Sequence, residues 1–301
     1  GQLDREELPP GVRENFGRLD ANSDGHVTRD EHDEFVRRFL MRARSARPNP
    51  RQVPDSVIAL RDIPYAGTDH PRQRLDLYLP KEPKGTSLPL VVFIHGGAWQ
   101  SGDKAGGASR VIPFVRSGEC AGASIGYRLS GDATWPAQIH DCKAAIRWLR
   151  GNAGTHGIDP DRIALIGSSA GGHLVSRQVC EDSALPADVA GRIERVVSIS
   201  GVHDLRPLRL HSNNETWRID DAEALAESPC LAEPRTGAEV LAWVGAMERP
   251  EFLRQSALLA EAWSRKGVVA RLVADPGRHH FDVIAGLEDP DHPLAQAFAG
   301  D

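Results

Sequence analysis

The sequence predicts an α/β fold, with a mostly parallel central sheet and helices on both faces, and a small helical segment N-terminal to it in the chain. Two observations lead to this prediction. Apolar, strand-like stretches alternate with stretches of helical spacing, an order that favours right-handed βαβ crossovers. The chain of 301 residues, 40% of them hydrophobic, is also long enough for one large α/β domain with a sizeable core.

The first element is a loop at residues 20–31, which read DANSDGHVTRDE and match every position of an EF-hand calcium loop. Gly25 stands where the loop must turn sharply, and Thr28 stands where a water is often held. The predicted ligands follow the loop order and all offer oxygen: Asp20, Asn22, Asp24, His26 through its carbonyl, and Glu31.

The flanks of this loop have helical spacing, with Phe16 and Leu19 before it and Phe35, Val36 and Phe39 after it. A helix-loop-helix kept only for packing remains the alternative, because EF-hands usually occur in pairs and only one is present here. The expected cofactor is a structural Ca²⁺ ion with a Kd of about 10⁻⁵ to 10⁻³ M. No cofactor is expected for catalysis.

Composition shifts divide the chain into three parts. Residues 1–45 form the EF-hand segment, residues 46–56 with Pro48, Pro50 and Pro54 form a linker, and residues 57–301 form the larger domain. In that domain, residues 73–79 alternate between polar and apolar, which predicts an antiparallel edge strand. The other expected strands are residues 90–94, 162–166, 193–199, 239–244 and 268–273. Residues 205–237 show no clear strand and are expected to form a small helical cap.

The most informative motif is Gly167-Ser168-Ser169-Ala170-Gly171, placed between a predicted strand and a predicted helix. Strand, tight turn and helix are the context of a nucleophile elbow, so Ser169 is the candidate nucleophile. Upstream, a buried strand leads into His95-Gly96-Gly97. The expected oxyanion hole is formed by the N–H groups of Gly96, Gly97 and Ala170.

A base and an acid are expected after later strands, in the order Ser, acid, His. His280 and His279 both follow the last predicted strand, and the chemistry alone does not choose between them. Glu248 follows the strand at 239–244 and is the expected acid, in competition with Asp204 and Glu251. Glu251 also fits a charge in the first turn of a helix opened by Pro250.

Residues from about 57 to 298 resemble the α/β-hydrolase fold, in the esterase branch that carries an HGG-type oxyanion motif. The run from Tyr127 to His173 is similar to bacterial feruloyl and acetyl-xylan-type esterases. The runs SGVHDLRPL, PEFLRQS and His280-Phe281 resemble kynurenine formamidases. The resemblance favours His280 over His279 and implies that the acid stands at Glu248, where these families usually carry Asp. It also implies that Asp204 is structural.

Three functional hypotheses follow. The first is a serine carboxyl-ester hydrolase that cleaves small-molecule esters with a short acyl group, such as acetyl or feruloyl esters. The second is an arylformamidase that acts on N-formylkynurenine-like formamides with the same residues. The third is a calcium-binding or interaction protein built on an inactive hydrolase scaffold, which the intact Ser169 and His280 argue against.

Composition excludes other classes of partner. A net charge of −6 gives no electrostatic case for nucleic acid or an anionic membrane, and no apolar run is long enough to span a bilayer. Gly1 is not a natural start, so we expect a processed, secreted or periplasmic protein, although a cytoplasmic location stays open. The four cysteines are not spaced as zinc ligands, and Cys180 and Cys230 are candidates for a disulfide. The oligomeric state is not encoded in any recognisable pattern.

Overall fold

The computed structural model describes residues 2–7, 16–28, 30–31, 34, 53–182, 185–235 and 237–298. Contacts divide the chain into two compact units, Gly1–Gln52 and Val53–Asp301. None of the described helices combines the length and the apolar character that a membrane crossing requires.

The N-terminal unit contains a short antiparallel strand pair, β1 (Gln2–Asp4) and β2 (His26–Thr28). Helix α1 (Phe16–Leu19) precedes the predicted calcium loop, and Leu19 is buried against Val27 and Phe16. The predicted outgoing-helix residues 35, 36 and 39 and most of the predicted linker lie outside the described residues.

The second unit is built on an eight-stranded sheet in the order β10-β9-β8-β7-β5-β6-β4-β3. Its strands are β3 (Val57–Pro64), β4 (Arg74–Pro80), β5 (Leu88–Ile94), β6 (Ala121–Ile125), β7 (Ile158–Ser168), β8 (Ile193–Ile199), β9 (Glu239–Gly245) and β10 (Ala270–Asp275). Strand β4 runs antiparallel to its neighbours β3 and β6, and the remaining neighbours are parallel.

The prediction of an edge strand at residues 73–79 was wrong in its position. Strand β4 is antiparallel as predicted, but it lies inside the sheet and β3 forms the edge. The polar residue Asp76 of the alternating pattern is fully buried and accepts a hydrogen bond from Lys104 Nζ at 2.7 Å. The alternation of polar and apolar residues in β4 therefore reflects a buried ion pair and not a solvent-facing side of the strand.

Helices cover both faces of the sheet. They are α2 (Ala108–Val115), α3 (Ala137–Asn152), α4 (Ala170–Gln178), α5 (Ala187–Ala190), α6 (Asn214–Trp217), α7 (Asp221–Ala226), α8 (Pro250–Ser264) and α9 (Pro293–Gln296). Successive residues of β5 point to opposite faces, so that Val92 joins one hydrophobic core whereas Val91 and Phe93 join the other. All four cysteines are free thiols, so Cys180 and Cys230 do not form a disulfide.

The segment at 205–237 contains short helices in its described part. A 3-10 helix (Arg206–Leu210) is followed by α6 and α7, and α7 begins with a capping box between Asp220 and Glu223. No strand of the sheet is found among the described residues of this segment. We call residues 205–237 the helical segment below.

Candidate active site

Ser169 lies between the last residue of β7 and the first residue of α4, with φ of 55° and ψ of −118°. Its backbone N–H donates a hydrogen bond to the carbonyl of Ile199 at 2.8 Å. Positive φ is unfavourable for a serine and persists only where the surroundings enforce it. The backbone therefore holds Ser169 in a strained turn at the carboxyl end of the sheet.

Two glycines explain how the chain turns so sharply. A Cβ atom on Gly167 would lie 2.0 Å from the carbonyl oxygen of Gly171, and one on Gly171 would lie 2.1 Å from the carbonyl oxygen of Ile94. Both distances are far below van der Waals contact, so only glycine allows α4 to approach β5 and β7 this closely. This crowding is the physical reason for the G-x-S-x-G pattern.

The glycines after β5 lie against the elbow. A Cβ atom on Gly96 would lie 2.5 Å from the carbonyl oxygen of Ser168 and 3.1 Å from Cβ of Ser169. Within the described residues, the backbone N–H groups of Gly96, Gly97 and Ala170 have no hydrogen-bond acceptor. Unpaired donors beside a serine side chain are what an oxyanion hole requires.

The backbone at residues 97–99 is strained, and hydrogen bonds from residues outside this loop hold it in place. Gly97, Ala98 and Trp99 have φ values of 113°, 51° and 56°, three left-handed residues in succession. The carbonyl of Ala98 accepts a hydrogen bond from Trp217 Nε1 at 2.7 Å, and the carbonyl of Trp99 accepts one from the backbone N–H of Ser130 at 2.8 Å. External hydrogen bonds thus fix the loop in a conformation that its own residues disfavour.

His280 and Glu248 are in direct contact. His280 Nδ1 donates a hydrogen bond to Glu248 Oε2 at 2.7 Å, and the Glu248 side chain is fully buried. The ring of Phe252 stacks on the imidazole with the ring centroids 4.1 Å apart. A carboxylate on Nδ1 fixes the imidazole tautomer and leaves Nε2 as the proton acceptor.

Sheet register brings these groups to one edge. Ser168 of β7 is aligned with Ile199 of β8, and Ile199 is aligned with Trp243 of β9. Gly245, which ends β9, is aligned with Asp275, which ends β10. Ser169, Glu248 and His280 therefore follow the carboxyl ends of parallel strands at the edge where α/β sheets place their sites.

The competing carboxylates are engaged elsewhere. Both oxygens of Asp204 accept hydrogen bonds from the Arg206 guanidinium at 2.9 Å, and this contact holds the pKa of Asp204 below its usual value. Glu251 accepts hydrogen bonds from Arg254 at 2.7 and 2.8 Å, which lower its pKa in the same way. Neither carboxylate contacts His280.

The competing histidine is also engaged elsewhere. The backbone N–H of His279 donates a hydrogen bond to Asp282 Oδ1 at 2.7 Å, and its ring lies 3.3 Å from Asp282 Oδ2. The structure thus pairs His280, and not His279, with Glu248.

Sequence reasoning missed one residue of this cluster. Ser200 Oγ donates a hydrogen bond to Glu248 Oε1, and the backbone N–H of Gly245 donates another to the same oxygen at 2.9 Å. The available signal was the position of Ser200 directly after the strand predicted at 193–199, next to the strand that leads to Glu248. The same run contains Asp204, whose carboxylate is the more obvious candidate for the acid.

Three tryptophans at or beside the loop of residues 97–99 form part of the hydrophobic core. Trp99, Trp135 and Trp217 are 2%, 4% and 3% exposed. Trp99 meets Trp135, Trp217 and His173 edge to face, with centroid distances of 5.2, 5.5 and 5.3 Å. Burial lowers the pKa of His173 to about 3, so its ring is neutral in this cluster. The rings fill the volume beside the strained loop.

The predicted calcium loop folds around two carboxylates. Asp20, only 7% exposed, accepts hydrogen bonds from the backbone N–H groups of Asp24 and Gly25, each at 3.0 Å. Glu31 accepts hydrogen bonds from the backbone and the hydroxyl of Thr28, which lower its pKa. Gly25 has a left-handed φ of 87°, as the sharp turn requires.

The remaining predicted ligands complete a set of oxygen donors in the same loop. Asn22 Oδ1 accepts a hydrogen bond from the backbone N–H of Asp24 at 2.9 Å, and the ring of His26 pairs with Asp4. Oxygen donors of this kind suit a hard cation such as Ca²⁺. As placed, however, no three His, Cys, Asp or Glu side chains of the described residues are grouped to hold a metal ion.

The chain is similar to known esterases and related hydrolases. Residues 75–241 match the model of the BD-FAE family. A solved structure of a putative thioesterase from Silicibacter sp. superposes with a TM-score of 0.73 at 35% identity, covering 87% of this chain and 92% of that chain.

Curated relatives agree with this family. A kynurenine formamidase of Danio rerio is 25% identical over 270 residues, which are 88% of each chain. Esterase LipC of Mycobacterium tuberculosis is 32% identical over 169 residues, 52% of this chain and 42% of that protein. The family match over more than half of the sequence shows that the chain belongs to the BD-FAE family, and its esterase relatives show that it is a carboxylic-ester hydrolase.

Proposed function

We propose that this protein is a serine esterase that cleaves short-acyl esters through an acyl-enzyme, with Ser169 as nucleophile, His280 as base and Glu248 as acid. The observation that supports this most directly is the 2.7 Å hydrogen bond between His280 Nδ1 and Glu248, formed at the sheet edge that also holds the strained Ser169.

The reaction follows from these positions. Ser169 Oγ attacks the ester carbonyl while His280 Nε2 takes its proton, and the N–H groups of Gly96, Gly97 and Ala170 stabilise the oxyanion. Collapse of the tetrahedral intermediate breaks the ester C–O bond, and the imidazolium returns the proton to the leaving alcohol. Water then attacks the acyl-enzyme in the same way and releases the acid.

A short acyl group is supported by the packing beside the oxyanion loop. Trp99, Trp135 and Trp217 are buried against one another and fill that volume. A long acyl chain placed in that volume would have to displace rings whose pairwise contacts each contribute about 0.5 to 1.5 kcal/mol beyond burial.

A second candidate is hydrolysis of aryl formamides. Phe252 stacks on His280, and the exposed ring of Phe281 meets the same imidazole edge to face with a centroid distance of 5.4 Å. Aromatic faces beside the base favour an aryl leaving group. The kynurenine formamidase of Danio rerio matches this chain over most of its length.

The two candidates are distinguished by initial rates on p-nitrophenyl acetate, p-nitrophenyl butyrate and N-formylkynurenine. We expect both esters to be hydrolysed, with a higher kcat/KM for the acetate and little cleavage of the formamide. A kcat/KM on N-formylkynurenine far above the ester values would establish the arylformamidase. Absence of turnover on all three substrates would contradict both proposals and favour a calcium-binding role on an inactive scaffold.

We also propose that residues 20–31 bind a Ca²⁺ ion that stabilises the N-terminal unit. Asp20, Asn22, Asp24 and Glu31 would hold it with the carbonyl of His26, and the ion takes no part in the chemistry at Ser169. The buried carboxylate of Asp20 and the left-handed Gly25 support this proposal.

Calorimetric titration with calcium chloride tests the proposed ion. We expect binding heat with a Kd of about 10⁻⁵ to 10⁻³ M, lost in Glu31→Gln and retained in the neighbouring control Asp30→Asn. Excess calcium should raise the melting temperature of the N-terminal unit, because a ligand of the folded state adds RT ln(1 + [L]/Kd) to its stability. No heat at millimolar calcium, or a kcat abolished by chelator without loss of stability, would overturn it.

A further inference from the structure

Ser200 follows β8 in an unusual conformation. Its side chain is fully buried, its φ is 50°, and its backbone N–H donates a hydrogen bond to the carbonyl of Trp243 at 2.6 Å. A left-handed serine is disfavoured by sterics, so neighbouring structure has to hold it in place. The bond to Trp243 keeps Ser200 beside β9, the strand that leads to Glu248.

The hydroxyl of Ser200 has one defined partner. It donates to Glu248 Oε1, which also accepts the N–H of Gly245 at 2.9 Å, while Glu248 Oε2 accepts the hydrogen bond from His280 at 2.7 Å. The carboxylate is removed from water, and a buried polar group needs hydrogen-bond partners. Two donors therefore occupy one oxygen, and the other oxygen is left to the histidine.

Glutamate needs this restraint because its side chain has more rotatable bonds than aspartate and loses more rotamer freedom when it is fixed. Without the Ser200 hydroxyl, the Gly245 N–H would be the only donor left on Oε1. With the Ser200 hydroxyl in place, Oε1 is held from two directions. The orientation of Oε2 toward His280 Nδ1 is then determined.

We propose that Ser200 is a positioning residue of the active site, whose hydroxyl orients Glu248 toward His280. It is too deeply buried to touch a substrate, so it acts through the carboxylate alone. This inference rests on the proposed function, since it assigns Ser200 a role in the same serine-dependent reaction.

The kinetic test compares Ser200→Gly and Ser200→Ala with Ser256→Ala. Ser256 is an equally buried serine whose Oγ has no hydrogen-bond partner in the described part of the chain. We expect kcat to fall roughly ten- to a hundredfold in both Ser200 variants, as for loss of a hydrogen bond to a charged group, with little change in KM. Ser256→Ala should keep the wild-type kcat.

Ser200→Gly distinguishes a loss of Glu248 orientation from a loss of protein stability. Glycine adopts a φ of 50° readily, so Ser200→Gly removes the hydroxymethyl group and relieves backbone strain, whereas Ser200→Ala removes the hydroxyl alone and keeps that strain. We expect it to lose kcat without losing thermal stability. A wild-type kcat in Ser200→Gly would overturn the proposal, as would a kcat that falls only in the variant that is also less stable.

A second readout does not depend on turnover. The proton between His280 Nδ1 and Glu248 is expected to give a downfield NMR resonance, which should move in both Ser200 variants and stay in place in Ser256→Ala. If the wild-type protein hydrolyses no substrate, the proposed function fails, yet this resonance still tests the role of Ser200. An unchanged resonance in Ser200→Gly would overturn it.

Discussion

Replacing Ser169 with alanine should lower kcat for ester hydrolysis by about 10⁴- to 10⁶-fold, with the melting temperature unchanged. The variant removes the only atom that forms the acyl-enzyme bond in the proposed reaction. It keeps Cβ, so the elbow at φ 55° loses no packing, and its backbone hydrogen bond to Ile199 remains. Initial rates with p-nitrophenyl acetate and a thermal melt of the same preparation measure both quantities.

Ser176→Ala is the matched control. Ser176 lies on α4, the helix that follows Ser169. It is fully buried, and its Oγ donates a hydrogen bond to the carbonyl of Gly172 at 2.9 Å within that helix. Its loss should cost some stability and leave kcat within a few-fold of wild type. Ester turnover in Ser169→Ala within tenfold of wild type would mean that another group attacks the ester.

The second large effect is expected for Glu248→Gln, which should lower kcat by about 10⁴-fold. The amide has nearly the same shape as the carboxylate, but its NH₂ group cannot accept the proton of His280 Nδ1. The imidazole would then turn to the other tautomer, in which Nε2 carries a proton and cannot take one from Ser169. Steady-state kinetics should show this loss in kcat, with KM almost unchanged.

Asp204→Asn and Glu251→Gln complete this experiment. Asp204 is held by Arg206 and Glu251 by Arg254, and neither touches His280. Both variants should therefore remain within a few-fold of the wild-type kcat. If instead one of them were inactive and Glu248→Gln were not, the acid would have to be reassigned.

Local patterns predicted most of the fold. Apolar runs with little polar interruption indicated the parallel strands, and five of the structure's strands, β5 and β7 to β10, overlap the predicted ranges. The glycines beside Ser169 predicted the elbow, because the close backbone approach that requires them is a steric effect between residues near in sequence or in adjacent strands. Strand β3 was not anticipated because an edge strand has weak burial constraints and a mixed sequence.

Contacts between distant residues were the part that the sequence could not decide. The choice among Glu248, Asp204 and Glu251 depends on which arginines lie near each carboxylate, and only packing reveals that Arg206 and Arg254 hold the last two. The role of Ser200 depends on a contact with a residue 48 positions away. The burial of Trp99 likewise depends on partners from two other segments of the chain.

The hydrogen bond from Trp217 to the carbonyl of Ala98 has a consequence for substrate entry. It joins the helical segment to the loop beside Ser169, and Trp217 also packs edge to face on Trp99. Outward movement of the helical segment would break that hydrogen bond and expose the rings of Trp99 and Trp217 to water. We therefore expect the helical segment to stay in place during turnover, so that activity on dissolved esters would not depend on a lipid interface.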